Sequence, residues 1–254
     1  MTAFSANLGF LWTDRLLPDA IHAAKAAGFD AVECHWPFDV DPADVAAALQ
    51  ETGLPMLGLN TRRGDVAGGE NGLAALPGRE DEARAAIDEA LDYATRIGAG
   101  AVHVMAGFAE GHEARDTFIK ALHHACEGAA KRDLVILIEP LNRFDAPGYF
   151  LGTTDLAAEI IAEVAAPNLR LMFDCYHVGR TEGDVIGRLR ALYPLIGHIQ
   201  FASVPDRGAP DHGDLGYAGV FAEIAALGWS QPLGAEYKPG GPTEDTLGWM
   251  RTLG

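Results

Sequence analysis

Cysteine is scarce in this chain, with 3 in 254 residues. Cys34, Cys126 and Cys175 are odd in number and widely spaced, which excludes a disulfide framework and a thiolate metal knot. Each reads as a small apolar core residue, a usage that fits a reducing cytoplasm. Basic residues are also few, 19 Lys and Arg against 36 Asp and Glu, for a net charge of −17. A surface of that sign repels phosphate backbones, so no nucleic-acid partner is expected, and most of the acids read as solubility. No window approaches the roughly 18 continuous apolar residues of a membrane span. The opening stretch lacks the basic flank and apolar core of a leader. Low-complexity tracts are absent, and the loop 208–219, despite its glycines, does not match a phosphate-cradling motif.

What the chain does have is 48% hydrophobic residues in a regular alternation. Short apolar runs predict strands at 4–10, 31–36, 55–60, 101–105, 134–139, 169–173, 196–201 and 233–237. Between them, amphipathic stretches predict helices at 18–27, after Asp41-Pro42, and at 80–97, 114–132, 154–165, 184–193 and 219–227, with a closing helix at 244–253. Gly28 suits a helix C-terminus, and Asp41-Pro42 suits an N-cap followed by proline in the first turn. Leu134-Val-Ile-Leu-Ile138 is nearly pure apolar, as strands buried on both faces are. Eight strand–helix units with no composition break predict one α/β domain over 1–254, a single-domain (β/α)8 TIM barrel.

Barrel enzymes carry their sites at the C-terminal ends of the strands. The last four strands each present an oxygen donor there: Glu139, Asp174, Gln200 and Glu236. One acid at a strand end reads equally well as a structural ion pair. Four donors on successive strands, with neighbouring strands about 4.8 Å apart, point to one shared centre. Three carboxylates and an amide oxygen form a hard site suited to Mg2+ or Mn2+. If Gln200 binds through its oxygen, its NH2 needs another partner, a histidine or a carboxylate.

The strings Ile138-Glu-Pro-Leu-Asn142, Phe173-Asp-Cys-Tyr-His177, His198-Ile-Gln200 and Ala235-Glu-Tyr237 resemble the hydroxypyruvate isomerase family of xylose-isomerase-like barrels. Phe4-Ser-Ala-Asn-Leu8, Ala67-Gly-Gly-Glu-Asn-Gly72 and Leu76-Pro-Gly-Arg-Glu80 extend that resemblance over nearly the whole chain. It implies that Glu139, Asp174, Gln200 and Glu236 bind a divalent cation. It implies too that Glu139 and Glu236 transfer the proton, that His177 and Arg207 touch the substrate, and that the protein forms dimers or tetramers. His103-Val-Met-Ala-Gly107, Pro205-Asp-Arg207 and Glu236-Tyr-Lys-Pro239 are similar instead to 2-oxotetronate isomerases. Arg62-Arg63 stands where both groups have small or apolar residues. This pair either grips a substrate carboxylate or faces water, and most loop arginines face water.

The expected activity is a metal-dependent aldose–ketose isomerisation of a small hydroxy-keto acid, hydroxypyruvate first and 2-oxotetronate second. A ketose 3-epimerase, a metal-dependent phosphodiesterase and a non-catalytic binding barrel are the alternatives. A keto acid needs a cationic clamp, for which Arg207 and Lys238, just past strands seven and eight, are the candidates. Lys238 fits an ordinary salt bridge equally well. Glu33 and His35 either extend the site or pair locally. His198 reads as core or as support for Gln200. Phe10, Trp12, Trp36 and Phe38 either wall the pocket or pack on another subunit. The glycine-rich loop from Arg62 to Gly78 is long enough to be a functional lid.

Overall fold

A computed structural model describes residues 2–254. Eight parallel strands, β1 (Phe4–Asn7), β2 (Ala31–Glu33), β3 (Gly58–Asn60), β4 (Ala101–His103), β5 (Val135–Ile138), β6 (Leu169–Asp174), β7 (Ile196–Phe201) and β8 (Leu233–Ala235), run in the order β2-β1-β8-β7-β6-β5-β4-β3. The two end strands meet through single backbone bonds rather than a continuous ladder. Val32 donates to Pro55 at 3.0 Å, Leu57 to Val32 at 2.7 Å, Cys34 to Gly58 at 3.1 Å and Asn60 to His35 at 2.8 Å. These bonds close the sheet into the expected TIM barrel.

The helices form where the local chemistry allows. In α1 (Leu17–Ala27) the chain ends in left-handed Gly28. In α2 (Pro42–Thr52) the Asp41 carboxylate accepts from the Ala43 N–H, as an N-cap should. The next helix, α3 (Glu80–Ile97), opens on three acids facing the positive end of its dipole and buries Ala83, Ile87, Leu91 and Ala94. It is followed by α4 (Gly111–Ala130) and α5 (Thr154–Val164). No helix among the described residues is long and apolar enough to cross a membrane.

The structure departs from the sequence expectation in its strand lengths and in the sixth and closing units: β1 ends at Asn7 rather than 10, β2 at Glu33 rather than 36, β4 at His103 rather than 105, β5 spans only Val135–Ile138 and β8 ends at Ala235 rather than 237. The third strand is shorter than 55–60, with Met56 forming only an isolated bridge to Val32. The sixth unit holds an additional helix, α6 (Cys175–Thr181), before α7 (Val185–Leu192). The Asp174 side chain caps α6 by accepting from the Tyr176 N–H. After α8 (Tyr217–Ala226) and β8, the closing segment is mostly 3-10 (Thr243–Trp249), with a last turn α9 (Met250–Leu253). That segment seals one end of the core. Trp249 is buried, with its ring 4.9 Å from Phe4 and 5.4 Å from Phe201. Truncating such a side chain typically costs about 3–5 kcal/mol.

One irregularity positions the site. Between β6 and β7 the register runs Leu171 opposite Ile196, then Met172 opposite His198. Gly197 is the extra residue, and a Cβ there would sit 2.5 Å from the Arg170 Cβ. Because side chains alternate with period two, this one-residue shift decides which face the rest of β7 presents. With it, Asp174 stands opposite Gln200. Without it, Asp174 would face Ile199.

Candidate active site

Glu139, Asp174, Gln200 and Glu236 follow or end β5, β6, β7 and β8, and all four are buried. Each carries one buried oxygen with no hydrogen-bond partner: Oε1 of Glu139, Oδ2 of Asp174, Oε1 of Gln200 and Oε2 of Glu236. A buried carboxylate costs several kcal/mol unless it is compensated. Electrostatics tell the same story. Burial, then repulsion from Glu236 and Asp174, pushes Glu139 well above the usual carboxylate range. Burial, then the Glu236 charge, raises Asp174 to about 7. Burial also pushes Glu236 upward, but Arg207 and His35 outweigh it and bring Glu236 down to about 2. Unpartnered hard oxygens crowded by like charge are what a divalent cation relieves, so the donor set fits one.

Polar atoms of Glu139, Asp174 and His177 all come within 4.8 Å of one another. His177 is nevertheless a poor ligand. Its Nδ1 accepts the Asn142 backbone N–H at 2.9 Å. A neutral ring so placed carries its proton on Nε2, the nitrogen 3.6 Å from Asp174 Oδ2 and 3.7 Å from Glu139 Oε1. Burial, then the Arg207 charge, lowers its pKa to about 3, so the ring stays neutral. His177 is therefore a fixed N–H donor aimed into the site. Glu236 stands outside that trio, held by Arg207 at 3.0 Å and by His35 at 3.3 Å.

Gln200 uses its amide as its chemistry requires. Nε2 donates to Glu33 Oε1 at 3.3 Å, which leaves the oxygen free. The other Glu33 oxygen meets His198 Nε2. Burial would lower His198, but the Glu33 charge outweighs it and raises the ring's pKa. Gly234 makes room for this cluster, since a Cβ there would lie 2.4 Å from Glu33 Oε1. Glu33 and His35, ambiguous in the sequence, thus both contact proposed site residues, and His198 supports Glu33.

Arg207 sits at φ +59, half-enclosed between Phe10 at 4.6 Å and Tyr176 at 5.0 Å. Besides Glu236, its guanidinium reaches Asp174 at 3.9 Å and Asp145 at 4.0 Å. Lys238 is placed elsewhere. Its side chain is exposed and lines neither of the cavities at the site, while its backbone N–H donates to the Arg207 carbonyl at 2.8 Å. Asn142 and Asp145 belong to a segment that carries the family resemblance, but neither is a site residue in the sequence reading. Asn142 joins His177 to Asp145, to which its Nδ2 donates at 2.9 Å.

A cavity of about 170 Å³ opens over these groups, lined by Phe10, His35, Trp36, Asn71, His177 and Arg207 among others. Beneath it a second cavity of about 310 Å³ reaches down the barrel past Gly58 and Ala101. Of the four aromatics, Phe10 and Trp36 wall the upper cavity, while Trp12 is buried and Phe38 packs on Tyr93.

The chain matches the xylose isomerase-like TIM barrel family model over residues 21–253. It is 42% identical to a 2-oxo-tetronate isomerase of Cupriavidus necator, over 99% of this chain and 98% of that protein. It is 34% identical to the hydroxypyruvate isomerase of Escherichia coli K12, over 98% of each. A crystal structure titled AP endonuclease, family 2, from Brucella melitensis superposes with a TM-score of 0.95 at 34% identity, covering 99% of both chains. The chain belongs to the xylose isomerase-like TIM barrel family and is an isomerase of that family.

Proposed function

We propose that this isomerase acts on a small hydroxy-keto acid, converting hydroxypyruvate to 2-hydroxy-3-oxopropanoate, with 2-oxotetronate as the next candidate. The observation that carries the reading is the set of four unpartnered buried oxygens at the ends of β5 to β8, with Glu139 and Glu236 lining the small upper cavity and Gln200 joining them in the cavity beneath it. The names of the relatives from Cupriavidus necator and Escherichia coli support the substrate class. Glu139, Asp174, Gln200 and Glu236 would hold Mg2+ or Mn2+. When bound, such a cation stabilises negative charge growing on a substrate oxygen.

The chain's own groups do the rest. Glu139 and Glu236 stand on strands three apart and flank the cavity between them. One takes the proton from C3 of hydroxypyruvate and the other returns a proton to C2, through an enediol. His177 donates its Nε2–H to a substrate oxygen. Arg207 and His35 hold Glu236 in position. Phe10 and Trp36 keep bulk water from the reacting carbons. A ketose 3-epimerase would use the same two carboxylates at one carbon. A phosphodiesterase, suggested by the name of the Brucella structure, usually needs several metals. Among the described residues one group of carboxylate and histidine side chains lies close enough to hold an ion, Glu139, Asp174 and His177, and it shares Glu139 and Asp174 with the proposed single site.

The test is turnover of hydroxypyruvate, 2-oxotetronate and ketoses in deuterated water with added Mn2+ or Mg2+. The expected product of hydroxypyruvate is 2-hydroxy-3-oxopropanoate carrying deuterium at C2. Deuterium without isomerisation points to epimerisation, and no conversion of either acid overturns the reading.

A further inference from the structure

A hydroxy-keto acid brings a carboxylate into a mouth already lined by Glu139, Glu236 and Asp145, with Asp174 close behind at 3.9 Å from Arg207. Something cationic must meet it. Arg207 is already engaged by three acids within 4.0 Å, and Lys238 lies exposed outside both cavities. Arg62 is tied to Glu89, with Nε donating at 2.6 Å, and stacks on Phe38.

Arg63 is different. Its guanidinium lies 3.8 Å over the Trp36 ring, and Trp36 lines the upper cavity. Among the described residues it has no ion-pair partner, and burial alone pulls its pKa down. Its carbonyl accepts from Gly72 N–H at 2.9 Å, and Gly72 follows Asn71, another residue of the cavity wall. An arginine side chain extends about 7 Å from its Cα, and a guanidinium presents a planar fork that matches a carboxylate. Stacking on an indole holds that fork ready without spending its N–H donors. The next residue, Gly64, sits at φ +89, a conformation that favours glycine and sets the turn of the loop.

We infer that Arg63 is the residue that recognises the substrate carboxylate, reaching from its stack on Trp36 over the mouth of the cavity. This rests on the keto-acid reading above. It also gives the pair Arg62-Arg63 divided roles: Arg62 anchors the loop to α3 through Glu89, and Arg63 reads the ligand.

The experiment compares hydroxypyruvate with dihydroxyacetone, a neutral ketose whose isomerisation calls for the same proton transfer but which has no carboxylate. Arg63→Gln should raise KM for hydroxypyruvate about tenfold or more, the worth of one charge-assisted contact, with dihydroxyacetone kinetics within about twofold of the parent. Arg63→Lys should recover part of the loss. Equal effects on both compounds would make the stack merely structural, and no effect on the acid would remove the role. Calorimetric titration with tartronate, a non-isomerising acid, gives a second readout. If the parent protein fails to isomerise hydroxypyruvate, the substrate reading falls. Tartronate then decides Arg63 by itself: weaker binding in Arg63→Gln supports the clamp, and equal binding overturns it.

Discussion

The Asn142 backbone N–H donates to His177 Nδ1 at 2.9 Å, and this bond settles what the opposite nitrogen can do. A ring anchored in this way offers a proton from Nε2, not a lone pair to a cation. His177→Gln should therefore cut turnover about 10²-fold, as removal of a fixed donor does elsewhere, while leaving Mn2+ affinity within about twofold. Steady-state kinetics and metal calorimetry check the two halves. Loss of the cation in this variant would make the ring a ligand.

The two glutamates differ in what they do to the metal-free protein. Glu139→Gln and Glu236→Gln should each lower turnover by about 10²-fold or more. Their melting temperatures should move in opposite directions. Glu139 is destabilised as an ion by burial and by its acidic neighbours, so neutralising it relieves strain. Glu236 is held ionised by Arg207 and His35, so its amide leaves a buried guanidinium short of a partner, at a cost of about 1–3 kcal/mol. Thermal unfolding with chelator present reads both signs.

Acidity should govern how much a cation stabilises the fold. Burial, and then Glu236, raises Asp174 from 3.8 to about 7. Stability that depends on its proton is complete below the unfolded value and fades as pH climbs through the folded one. Chelator-treated protein should melt higher near pH 5 than near about pH 8, and added Mn2+ should stabilise more at the alkaline end. A cation effect that shrinks as pH rises would contradict the proposed donor set.

Two glycines are fixed by close approach. A methyl group at Gly197 would meet Arg170 Cβ at 2.5 Å, and one at Gly234 would meet Glu33 Oε1 at 2.4 Å. Gly197→Ala should destabilise the fold by about 1–3 kcal/mol, the usual range for overpacking. Gly234→Ala should weaken cation binding by displacing the partner of the Gln200 amide. Denaturant unfolding and metal titration distinguish these effects.

The barrel was legible in the sequence because strand and helix periods alternate cleanly, and β5 in particular shows no polar break. The strand-end donors were legible for the same reason, since each interrupts an apolar run. What stayed hidden depends on contacts across the barrel. Glu33 meets His198, a partner 165 positions away. Asn142 lies in a loop, and nothing local links it to His177. Helix α6 was missed because Asp174 serves as both strand end and helix cap, which compresses the boundary to nothing. Lys238 follows Glu236 by two residues and would share its direction in a continuing strand. But β8 ends at Ala235, and the backbone turns to bond with Arg207.

The extra residue at Gly197 makes the order of the catalytic face a matter of counting. Adding a single residue to the first half of β7, with no second bulge to absorb it, would set Ile199 opposite Asp174 and swing Gln200 into the layer between sheet and helices, with every donor still encoded in the gene. In this stretch the protein should bear the loss of the bulged residue better than the gain of another.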